Sequence, residues 1–138
     1  MSDYSYDLTA KLTLFSLHAI GVNSTTTTNP RVFFVGHNEY EIGFWCTPLF
    51  LWAIAAFVLY RARHTSGRYL ADCLAFALVT QLLIPLGIAV SIRLHTNGVS
   101  WFFAHYPVYV LNYATCIGTC LAYAGRRVRH GGLEQSAD

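Results

Sequence analysis

The stretch EIGFWCTPLFLWAIAAFVLYRAR, residues 41–63, decides how the chain is read. It runs without a charged side chain from Ile42 to Tyr60 and then closes on Arg61 and Arg63. A helix rising 1.5 Å per residue needs about 20 apolar residues to cross the hydrocarbon of a bilayer. Two further blocks of the same kind follow, Cys73 to Ile92 and Trp101 to Ala124, with His105 the one strongly ionisable side chain in the third. The composition agrees: 54% of the 138 residues are hydrophobic and 12% charged, about half the charge of an ordinary soluble domain. Mean hydropathy is +0.39. The expectation is an all-α polytopic membrane bundle with three full spans, at about 42–60, 70–92 and 101–124.

The N-terminus, MSDYSYD, is acidic and polar where a cleavable signal needs a basic start. LTAKLTLFSLHAIG (8–21) is apolar but short, and Lys11 and His18 interrupt it, so it reads as an interfacial helix. VNSTTTTNPRVFFVGHNEYE (22–41) carries a turn signal at Asn29-Pro30 between two segments of β propensity, pointing to a small extracytoplasmic hairpin or loop. Residues 1–130 form a single membrane domain on this reading, and the glycine-rich end, 131–138, a disordered cytoplasmic tail.

The net charge of +2 gives no reason to expect nucleic acid, because its placement accounts for it. Arg61, Arg63 and Arg68 fill one connection, and Arg126, Arg127 and Arg129 follow the last block. With three spans both segments lie on one side, which the positive-inside rule makes cytoplasmic. The chain is thus expected as a multi-pass protein of the cell membrane.

That topology brings three reactive side chains to one depth at the outer interface. Cys46 lies one turn into the first block, Arg93 ends the second, and His105 lies one turn into the third. Each also has an ordinary role: a small packing thiol, a snorkelling arginine, a neutral hydrogen-bonded imidazole. Together they support nucleophilic acyl transfer. The helix dipole and a nearby cation would lower the Cys46 pKa, His105 would take its proton, and Arg93 would stabilise an oxyanion or bind a carboxylate. His37, Glu39, Glu41 and His95 are further ionisable groups within reach. The four cysteines make no CxxC or metal spacing, and Cys116 and Cys120, four apart on one helix, read as small packing residues.

The order of motifs resembles the core of the exosortase/archaeosortase family of membrane-embedded cysteine transpeptidases. The residues that carry it are AIGV, the threonine-rich segment, YEIGFWCT, a helix ending SIR and WFFAHYP opening the last block, over residues 17–124. Pro48 stands where the family usually has glycine, and Val90 where an asparagine is common. The resemblance implies Cys46 as nucleophile with Arg93 and His105 completing the site, and it implies neither metal nor organic cofactor. It implies a substrate protein with a C-terminal transmembrane sorting signal, held as a thioester and passed to an acceptor. The competing expectation is a non-catalytic small membrane subunit, an anchor or haem-carrying part of a larger complex.

Overall fold

The computed structural model describes residues 2–63 and 69–134, with side chains for 4–61 and 69–125. The order of elements is α1 (Ser2–Ala19), β1 (Thr25–Thr26), β2 (Val32–Val35), β3 (Asn38–Glu41), a 3-10 turn (Phe44–Cys46), α2 (Leu49–Arg63), α3 (Tyr69–Thr96) and α4 (Trp101–Glu134).

Three spans are not what forms. Among the described residues one helix, α3, is long and apolar enough to cross a membrane. The first block falls short because Pro48 pushes the residue before it into extended backbone, and Thr47 sits at φ −99, ψ 151. No helix can run through that point, so α2 starts at Leu49 and has 15 residues. That is about 22 Å of rise against a hydrocarbon thickness of about 30 Å. The third block does form a long helix, but His105, Pro107, Asn112 and a run of tyrosines dilute it below a span. α4 also continues to Glu134, into the segment expected as a disordered tail. Arg68 and residues 135–138 lie outside the described residues.

α3 is the axis of the fold, and α1, α2 and α4 all pack on it. Its buried side carries Thr80, Gln81, Ile84, Ile88, Ala89 and Ile92. Its other side is a ridge spaced by four: Leu70, Leu74, Leu78, Leu82, Leu86, Val90 and Leu94, all exposed. A core helix of a water-soluble protein would hide such a ridge. Here 28% of the most apolar window is buried.

Polar side chains tie the helices where α3 meets its neighbours. Gln81 donates to Thr9 of α1 at 3.2 Å. Trp52 of α2 donates its ring N–H to Thr80 at 2.9 Å. From α4, Asn112 donates to the Leu83 carbonyl at 3.0 Å and Tyr123 to Asp72 at 2.8 Å. Asn112 comes so close because Gly87 leaves room, and a Cβ there would collide with its side chain. Cys116 and Cys120 are buried packing thiols along the same seam.

The segment before α2 is a three-stranded antiparallel sheet, order β1-β2-β3, one strand more than a hairpin. Around Asn29-Pro30 the Thr27 hydroxyl donates to the carbonyls of Asn29 and Val32, and Asn29 Oδ1 accepts from the Arg31 N–H. β2 and β3 join through the two residues Gly36-His37, and Gly36 takes φ +62, as the first position of a II′ turn requires. Phe33, Val35, Tyr40 and Ile42 point inward and are buried, so the sheet caps one end of the helices. NEYE had no apolar alternation to announce β3; its one inward residue is Tyr40.

Candidate active site

Under that sheet lies a cavity of about 520 Å³. β3 and the chain leading to Cys46 form one wall, the C-terminal end of α3 contributes Ile88, Ile92 and His95, and α4 contributes Trp101 and His105. A second space of about 10 Å³ lies against Cys46 and His105, lined also by Ser91, Tyr109 and Asn112. That is about the room one water occupies.

Cys46 closes the 3-10 turn rather than sitting inside α2, for the reason given by Pro48. Its N–H donates to the Gly43 carbonyl at 3.0 Å. Thr47, buried, donates its hydroxyl to the Phe44 carbonyl at 2.8 Å. From α4 the Tyr113 hydroxyl reaches the carbonyls of Trp45 (2.9 Å) and Thr47 (3.3 Å), on both sides of the cysteine. Burial pushes the Cys46 thiol above its ordinary range, and the hydrogen bond at Gly43 opposes this only in part. The depressed thiol expected from a helix dipole is therefore not what forms: at rest Cys46 is a neutral thiol.

His105 stacks on Trp101, one turn earlier on α4, with ring centroids 4.7 Å apart and planes 10° from parallel. Tyr109 follows at 5.8 Å on the next turn. The His105 Nδ1 is buried and has no hydrogen-bond partner among the described residues. Burial lowers its pKa, so the ring is a neutral imidazole able to accept a proton at neutral pH.

The structure therefore brings Cys46 and His105 to the same two spaces and leaves Arg93 outside both. Helical geometry explains the difference. Steps of about 100° per residue put Ile88, Ile92 and His95 on one side of α3 and Arg93 on the opposite one. Arg93 is exposed, and its carbonyl accepts from the Thr96 hydroxyl at 2.9 Å. Gly98, at φ +95, then ends α3: its N–H donates to the His95 carbonyl and that of Val99 to Leu94. The chain turns back into α4 from there.

The place that charge reasoning gave to Arg93 is taken by His95. Its Nδ1 lies 2.6 Å from the Tyr40 hydroxyl, which joins β3 to the end of α3. Tyr40 also packs on Trp101, centroids 5.3 Å apart. His37, Glu39, Glu41 and His95, read from the sequence as secondary groups, all line the larger cavity. The 3.6-residue spacing from Ile88 and Ile92 to His95 was the signal that could have found it. Tyr113 had no local signal, since its role depends on contact with a segment far away in sequence.

Among the described residues no group of three or more histidine, cysteine or acidic side chains is placed to hold a metal ion. A neutral thiol and a neutral imidazole in one cavity can exchange a proton when a substrate arrives, which is the requirement for a base-assisted thiol nucleophile. Comparison with known proteins returns no matching family model, no matching curated protein and no matching solved structure.

Proposed function

We propose that the chain is a membrane-anchored cysteine transpeptidase that acts at the extracytoplasmic face. α3 lies across the bilayer, its leucine ridge against lipid, and the sheet-capped cavity stands outside. His105 takes the proton of the Cys46 thiol as the sulfur attacks a substrate carbonyl and forms a thioester. The proton then goes to the leaving amine, and an acceptor nucleophile releases the acyl group. The family resemblance supplies the substrate class, an exported protein with a C-terminal sorting signal. The observation that carries this reading is the meeting of Cys46 and His105 at one cavity. Arg93 has no part in the step, because it lies on the far side of α3.

Full-length protein purified from its own membranes tests it. The expected finding is a hydroxylamine-labile acyl adduct on Cys46 by mass spectrometry, lost in His105→Ala. No adduct, together with an unchanged phenotype of Cys46→Ala, would overturn the reading. The outward placement of Arg93 favours the second reading, a non-catalytic membrane subunit, and a haem Soret band in the purified protein would establish its haem-carrying form.

A further inference from the structure

The cavity has one wall that is a strand edge. β3 pairs with β2 on one side, and among the described residues no strand pairs with its other side. The register decides which peptide groups are free. Ile42 donates its N–H to the Arg31 carbonyl, and Phe33 pairs with Tyr40 and Val35 with Asn38. Hydrogen-bonded positions alternate along an antiparallel pair, so Asn38, Tyr40 and Ile42 spend their peptide groups on β2. The N–H and C=O of Glu39 and Glu41 therefore face outward along the open edge. Both residues line the cavity that holds Cys46.

We propose that this edge receives the substrate as an added strand: an extended peptide alternating apolar and basic side chains. The proposal rests on the transpeptidase reading and names the form of its substrate. Peptide groups of the incoming segment bond Glu39 and Glu41, and the pleat decides the rest. Side chains pointing inward fall beside Tyr40 and Ile42, toward Trp101 and Ile92. Those pointing outward fall beside the Glu39 and Glu41 carboxylates. The acidic side chains of the lining are these two, and no lysine or arginine is among its residues. Opposite charges on neighbouring strands attract, so lysine or arginine belongs at the outward positions. A cavity of about 520 Å³ takes a short segment, and the chain leading from β3 to Cys46 carries it toward the thiol.

The test uses the full chain in detergent micelles and a hexapeptide alternating valine and lysine, chloroacetylated at its N-terminus. Cys46 Sγ displaces chloride and forms a thioether, and the thiol proton is lost to His105 or solvent. Alkylation is expected at least about tenfold faster than by chloroacetamide alone, and faster than by a valine–glutamate peptide. N-methylating alternate residues gives two further peptides, of which one set should abolish the acceleration and the other preserve it. Glu41→Pro removes one edge N–H without touching the β2 ladder, and should bring the ratio of peptide rate to chloroacetamide rate to about one. Equal rates for every peptide and chloroacetamide would overturn the proposal, as would an acceleration that survives both methylation patterns. Failure of the transpeptidase reading looks different: chloroacetamide itself would then react with Cys46 no faster in wild type than in His105→Ala.

Discussion

The Tyr113 hydroxyl on α4 donates to the main-chain carbonyl of Trp45 at 2.9 Å, one residue before the candidate nucleophile. It also reaches the Thr47 carbonyl at 3.3 Å. A side chain on the last helix thus sets where the thiol stands. Tyr113→Phe keeps the ring and removes that tie, at a cost of about 1 kcal/mol. The melting temperature should fall by a few degrees, and Cys46 should react with maleimide several-fold faster as its turn loosens. An unchanged labelling rate would mean that the tie does not hold the turn.

Cys46 and His105 differ from a preformed thiolate–imidazolium pair in the sign of both shifts, since burial raises the thiol and lowers the imidazole. Little thiolate exists at neutral pH, and its fraction grows as pH rises toward and past the ordinary thiol range. In His105→Ala, alkylation of Cys46 by a membrane-impermeant electrophile should climb about tenfold per pH unit between 7 and 9, and in the wild type it should climb less steeply, because base assistance by a neutral imidazole does not depend on pH there. His105→Ala should slow it at pH 7 by at least about tenfold, within the usual range for a positioned base. The two rates should converge at high pH, where the thiol ionises unaided. A His105→Ala rate that is flat above pH 6 would show a thiolate already present at rest.

Gly87 and Gly118 form a matched pair. A Cβ at Gly87 meets the Asn112 side chain, and one at Gly118 meets nothing within 4 Å. Gly87→Ala should cost about 1–3 kcal/mol by overpacking and break the bond from Asn112 to the Leu83 carbonyl. Gly118→Ala should be neutral or stabilise by up to about 1 kcal/mol, the helix propensity difference. Thermal unfolding of both variants checks the order, and equal melting points would remove the close approach of α3 and α4.

Leu82 stands mid-way along α3 on its exposed ridge, 62% accessible. If α3 crosses the bilayer, Leu82→Arg costs about 2.5–3.5 kcal/mol of insertion, whereas Leu70→Arg near the helix end is tolerated by snorkelling. Wild type and Leu70→Arg should stay with the membrane in alkaline carbonate, and Leu82→Arg should be released. Release of the wild-type chain would end the membrane reading of α3.

The apolar blocks show in the sequence as helices, but their lengths do not. Nothing in the hydropathy of residues 42–60 shows that the helix starts at Leu49. That follows from a steric rule at Thr47-Pro48, which a count of apolar residues passes over. The turn signal at Asn29-Pro30 marks a reversal, whereas β3 is invisible because Glu39 and Glu41 make its outward positions acidic. Pairing with β2 outweighs its poor local propensity.

The order of residues by itself offered three apolar blocks, 42–60, 70–92 and 101–124, of which one forms a helix long and apolar enough for lipid. It put a cysteine and a histidine one turn into the first and third. Depth follows from counting along a helix, and counting needs only the sequence. Direction around the helix needs a partner to point at, and only the tertiary structure supplied one. It turned Ile88, Ile92 and His95 into the cavity and Arg93 out of it, because α3 packs the side carrying Ile84, Ile88 and Ile92 against its neighbours and an arginine there would lose its water. It also left Cys46 on a short turn held by Tyr113, a contact between residues 68 positions apart that no local pattern encodes.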